Sequence, residues 1–104
     1  MASLNPSNPG WVGVPTILEL VWVLKSKNRA PRTTIAATIE QLLARESVIV
    51  EDDAIVAQAV RRFRFSRVDF ADCLIAISAQ AAGCTKTLTF DEIAARDAGM
   101  ELIN

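Results

Sequence analysis

Three carboxylates in this chain of 104 residues stand in surroundings that ordinarily exclude charge. Asp72 lies within V-D-F-A-D-C-L-I-A-I-S-A-Q (Val68–Gln80), a stretch free of Gly and Pro. Its residues are apolar on nearly every side of a helical wheel, a pattern that predicts a helix buried all round. Glu19 is the sole polar residue between Ile17 and Leu24, and Asp91 follows the alternating segment T-L-T-F. A buried carboxylate is costly unless it is paired, hydrogen-bonded or bound to a metal. Acids that converge repel one another unless a cation neutralises them. The hard cations Mg²⁺ and Mn²⁺ suit all-oxygen sites and serve phosphodiester chemistry. Glu19, Asp72 and Asp91 are therefore the candidate metal ligands and catalytic acids.

Around this set lie accessory candidates, each with a purely structural alternative. Asp69 is three positions before Asp72 and on the same helical face, yet it can equally cap the helix. Asp91 can likewise cap a following helix, and Glu19 or Asp72 can pair with Lys25 or an arginine. Thr89 is either a plain strand residue or a hydroxyl beside the site. Arg61, Arg62, Arg64 and Arg67 lead directly into Asp69. They form either a solvated helix face or a rim that contacts phosphates beside a metal site. Trp11 and Trp22 stand in apolar surroundings, which favours core or interface anchors over base-stacking platforms.

Composition narrows the chemistry further. The chain contains no His, which removes the usual general base for Ser or Cys nucleophiles. Two cysteines without a CxxC pair argue against structural zinc, and Cys73 and Cys84 read as buried free thiols in a reducing compartment. A net charge of −1 does not mark a general nucleic-acid binder. The apolar run Val12–Leu24 is too short to span a bilayer and is interrupted by Pro15 and Glu19. The expected setting is cytoplasmic, without membrane association.

The elements that must position the acids follow from pattern and punctuation. Residues 1–10, rich in Ser, Asn, Pro and Gly, read as a flexible segment, and residues 11–104 as one domain. Trp11–Val14 predicts a strand, and Pro15 opens a helix over Thr16–Lys27. Pro31 precedes a helix capped by Thr33 or Thr34 and running to Arg45. Ser47–Val50 is β-branched and strand-like. Asp52 or Asp53 caps a helix over Ala54–Phe63. The acid-bearing helix extends from Asp69 to Ala82 and stops at Gly83. Lys86–Phe90 predicts a strand, Glu92–Asp97 a short helix, and Met100–Ile103 a last strand. Short strands alternating with helices make an α/β domain with a mainly parallel sheet. In such sheets ligands bind beyond the carboxyl ends of the strands, where Asp91 falls.

Three segments, V-P-T-I-L-E-L-V-W-V-L-K, D-F-A-D-C-L-I-A-I-S-A-Q-A-A-G-C and T-L-T-F-D-E-I-A-A-R, resemble PIN-domain proteins in the family's own order. The resemblance runs from Trp11 to Ile103 and is greatest to the VapC-type toxins of toxin–antitoxin pairs. It implies a three-layer α/β/α sandwich and a metal-dependent endoribonuclease. Glu19 matches the family's acid in L-x-E-L, Asp72 the acid before L-I-A, and Asp91 the acid of T-x-D. Asp69 matches a frequent accessory acid. The implied cofactor is Mg²⁺ or Mn²⁺, and the implied partners are an RNA substrate, a cognate antitoxin and a second copy of the chain.

The chain departs from that pattern at its start. The family's first strand, with an acid in a D-T-N-like motif, has no counterpart before Glu19. The expectation is an N-terminally truncated PIN-like domain whose site lacks its first acid. A homodimer that covers exposed edges follows from the incomplete sheet. The alternative function is a non-catalytic remnant that associates with itself or with an antitoxin. A receiver-like phosphoacceptor domain is disfavoured, because there is no Asp-Asp pair near the N-terminus and no suitable Lys after Asp91.

Overall fold

The computed structural model describes residues 3–84, 86–97 and 99–103, with Thr89 described through its backbone alone. Among the described residues, nine elements follow the alternation read from the sequence. They are β1 (Gly10–Val12), α1 (Val14–Ser26), α2 (Arg32–Ala44), β2 (Val48–Val50), α3 (Asp53–Arg64), α4 (Phe70–Ala81), β3 (Leu88–Thr89), α5 (Glu92–Asp97) and β4 (Glu101–Leu102). The fold is α/β with parallel strand pairing. Among the described residues the strands form two separate parallel pairs, β1 with β2 and β3 with β4. The register sets Trp11 beside Ile49 and Leu88 beside Glu101.

Local chemistry explains where the helices begin and end. Pro15 sits in the first turn of α1, where its missing N–H costs nothing. The Val14 N–H instead donates to Glu51 Oε1 at 2.8 Å, so a residue just after β2 caps α1 across the fold. At α2 the expected threonine cap is replaced by Pro31, whose extended backbone (ψ 161) starts the helix without a side-chain bond. The ring's fixed φ suits that position and moves the start to Arg32, ahead of both threonines. α4 ends in a Schellman motif. The Cys84 N–H donates to Ala79 O at 2.9 Å and the Gly83 N–H to Gln80 O at 3.0 Å. Gly83 takes the left-handed φ of 79° that this motif requires. Upstream, the segment before β1 holds a tight turn in which Asn5 Oδ1 accepts from Ser7 N and Asn8 N, both at 2.9 Å.

The core lies where α3 packs against α2 and α4. Ile35, Ile39, Val56, Val60, Phe63, Phe70 and Cys73 are buried there. The Phe63 and Phe70 rings meet edge to face with centroids 5.9 Å apart. Burying side chains of this size stabilises by roughly 1.5–3 kcal/mol each.

Three expectations about burial are corrected. α4 is not buried all round: Ala71 is exposed and Ile75 is 48% exposed. α1 likewise leaves Trp22 59% exposed, and Trp11 on β1 is 66% exposed, so neither tryptophan is a core anchor. α1 packs against α2 and α4, α4 against α3 and α1, and β1 pairs with β2, and the apolar surface that these contacts do not cover stays in water. The third correction concerns Cys84, which is exposed because it lies past the turn that ends α4, whereas Cys73 is buried as expected.

Candidate functional site

The amino-terminal end of α4, the turn before it and α5 enclose a cleft of about 230 Å³. Arg67, Asp69, Asp72, Asp91 and Asp97 line it, with Val68, Ile93 and Ala94 as its apolar wall. Two helix starts therefore face one space, and both are preceded by an aspartate. Asp97 was not singled out from the sequence. Its signal was available, since it falls one and a half turns after Asp91 in a short helix, but nothing indicated which side of α5 would turn inward.

Each acid is held differently. Asp91 directly precedes α5, and its Oδ1 accepts from Ile93 N at 2.8 Å and Ala94 N at 3.3 Å. The capping alternative is thus realised, in a carboxylate that also lines the cleft. Asp69 occupies the cap position of α4 but makes no side-chain cap bond. Its Oδ1 instead accepts from Lys25 Nζ at 2.7 Å, tying α1 to the start of α4. Asp72 is half-buried in the first turn of α4. Burial holds its carboxyl above the ordinary value of 3.8, and the negative charges of Asp69 and Asp91 push the same way against the pull of Lys25. That is the electrostatic signature of acids crowded around one space.

The other candidates are distributed around the molecule. Glu19 lies on the exposed side of α1 and is not among the residues that line the cleft. The side chain of Thr89 lies outside the described residues, although its backbone is in β3, two positions before Asp91. The arginines divide: Arg67 lines the cleft, while Arg61 and Arg64 line a groove between α2 and α3. Arg64 Nη2 pairs with Glu40 Oε1 at 2.6 Å. Arg62 is half-buried, and its charge acts on the Cys73 thiol, which burial pushes upward. Helical spacing makes this split unavoidable, since residues 61, 62 and 64 cannot share one face.

An all-aspartate donor set fits a hard divalent cation better than a transition metal. Among the described residues, however, no three acidic or thiol side chains are gathered closely enough to hold a metal ion by themselves. Mg²⁺ ordinarily keeps several waters and takes only one or two carboxylates together with substrate phosphates, so the open cleft and the cation's habits agree.

A family comparison completes the picture: the model of the PIN domain matches residues 4–99. The chain belongs to the PIN domain family. Comparison with curated proteins and with solved structures returned no match. PIN domains are nuclease-type proteins and generally metal-dependent, which is the chemistry for which an aspartate cleft is suited. In this PIN domain the starts of α4 and α5 bring Asp69, Asp72 and Asp91 to a single cleft. No helix among its described residues is long and apolar enough to cross a membrane.

Proposed function

We propose that this PIN domain is a metal-dependent endoribonuclease of the VapC toxin type, working at the Asp69–Asp72–Asp91 cleft. The observation that carries the proposal is the meeting of those three acids at one cleft, where burial first, and then the charges of Asp69 and Asp91, raise the pKa of Asp72. A Mg²⁺ or Mn²⁺ ion at this cleft would take one or two of the carboxylates of Asp72, Asp91 and Asp69, together with water and a substrate phosphate. Its contribution in such a site is charge neutralisation and a lowered pKa of bound water for attack on an RNA phosphodiester.

The chain's own residues prepare that chemistry. Two amides of α5 donate to one oxygen of Asp91 and so fix the carboxylate's orientation. Lys25 does the same for Asp69 through a single contact. Asp72 lines the same cleft from the first turn of α4. Arg67 supplies a positive charge on the rim where a phosphate would enter. Glu19 belongs to the family's acidic set by resemblance, and its outward position on α1 leaves it without a part in this cleft.

A titration of Mn²⁺ by calorimetry, on the native chain and on Asp72→Asn, tests the proposal. Saturable binding lost in the variant, together with metal-dependent cleavage of RNA lost in the same variant, is the expected outcome. Absence of binding to either chain rejects it.

A second reading has its own support. Leu88, Phe90 and Ile93 are exposed near β3 and α5, as are Trp11 and Ile49 on β1 and β2. Apolar exposure on that scale is a feature of association surfaces. In that reading the PIN domain acts chiefly as a module that dimerises or binds an antitoxin. Tight association that survives Asp72→Asn, without RNA cleavage, would favour it.

A further inference from the structure

Trp22 lies beside the acidic cleft but outside it. With Leu18, Val21, Lys25, Phe70 and Ala71 it lines a second, shallower hollow of about 200 Å³ between α1 and α4. Asp69 borders both spaces and stands between them. The indole is 59% exposed. Lys27 Nζ stands 5.9 Å from the ring centroid and takes part in no ion pair among the described residues. Lys25 is on the other flank, bound to Asp69.

An exposed indole next to two ammonium groups is a combination with a particular use. Aromatic rings that accept a base by stacking, set within positive charge that follows the backbone, are how single strands are bound without sequence readout. Bases in unpaired RNA are free to splay out onto such rings. The hollow is smaller than the roughly 300–1,000 Å³ of ordinary ligand pockets. It suits one planar ring on an apolar floor better than the side of a partner helix. Position strengthens the case, because Asp69 is shared by the two hollows, so a strand with one phosphate at Asp72 can lay an adjacent nucleotide past Asp69 and onto α1.

We infer that Trp22, flanked by Lys25 and Lys27, is a stacking platform for an unpaired nucleobase of the RNA strand, a proposal that rests on the nuclease reading of the neighbouring cleft. It places the strand across α1 and assigns the exposed side of that helix to substrate and not to a second protein.

The test uses the full chain carrying Trp11→Phe, which leaves Trp22 as its one tryptophan, since the sequence contains two. A twelve-nucleotide oligoadenylate, about the span of one single-strand site, is titrated with chelator present, so that cleavage cannot occur. Saturable quenching of Trp22 fluorescence is expected. In a fluorescence-anisotropy titration with labelled oligoadenylate, Trp22→Leu should bind about fivefold or more weakly, the lower end of what one stacked base contributes. Trp22→Phe, which keeps a ring, should recover most of the loss, and Lys27→Gln should reduce the salt dependence. Mn²⁺ binding should be the same in all of these variants. Absent quenching, or equal affinity in Trp22→Leu, overturns the platform even where Mn²⁺ still binds. Quenching without Mn²⁺ binding supports it and removes the nuclease reading alone. A change of sedimentation from dimer to monomer in Trp22→Leu, with RNA affinity intact, also overturns it and makes the side of α1 a self-association surface.

Discussion

The guanidinium of Arg32 covers the face of the Phe63 ring at 3.8 Å and donates twice to the carbonyl of the same residue, at 2.8 and 3.2 Å. Its Nη2 also donates to Val68 O. One side chain at the start of α2 thereby holds the end of α3 and the residue just before Asp69. The turn that delivers Asp69 and Asp72 to the cleft is fixed by a group more than thirty residues upstream.

Removing that clamp should loosen the turn. Arg32→Met leaves the Phe63 and Val68 carbonyls only the long contacts from Ser66 N at 3.5 Å and Cys73 Sγ at 3.9 Å, at a cost of about 1–3 kcal/mol. Arg32→Lys should recover only part of it, because an ammonium cannot reproduce the planar fork that reaches both carbonyls and lies flat on the ring. Urea denaturation measures the difference. Equal midpoints for Arg32→Met and the native chain would show that the clamp holds nothing.

Asp91 has two duties that substitutions can separate. Asp91→Ala removes the cap of α5 and should cost about 1 kcal/mol, a loss of about 4–8 °C in Tm for a domain of this size. Asp91→Asn keeps an oxygen for the Ile93 and Ala94 amides and should melt close to the native chain, while losing the negative charge in the cleft. A calorimetric scan beside a Mn²⁺ titration separates these effects. If Asn melts as low as Ala, the capping contribution is not where the hydrogen bonds place it.

The raised pKa of Asp72 carries a definite sign for stability. Its folded value lies above the ordinary 3.8 because of burial first and then Asp69 and Asp91. The folded chain therefore keeps this proton longer than the unfolded chain does. The contribution of this group is fully favourable below the unfolded value and is lost as pH rises through the folded one. Asp72→Asn should gain stability relative to the native chain between acid and neutral pH. Lys25→Met should enlarge the native slope, since Lys25 alone lowers this pKa. As an exposed pair, Lys25 and Asp69 should add less than about 1 kcal/mol of stability in themselves. Denaturation curves across that pH range check both signs, and a constant native-to-variant difference would contradict them.

Much of this protein was legible residue by residue. The order of helices and strands follows from Pro15, Pro31, Gly83, Gly99 and the change between helical and alternating apolar patterns. Local context singled out Glu19, Asp72 and Asp91, with Asp69 as an accessory, because a carboxylate in an apolar segment demands a physical reason wherever the chain goes. What tertiary structure alone decided was which of the candidates meet. Asp97 enters the cleft and Glu19 turns outward, because the inward side of a short or one-sidedly packed helix depends on its neighbours and not on its own composition. The same holds for the ion pair of Lys25 with Asp69, the cap that Glu51 gives to α1 and the exposure of Trp22. Hydrophobic periodicity reports how much apolar surface an element has to bury, and only packing determines which part of it remains in water.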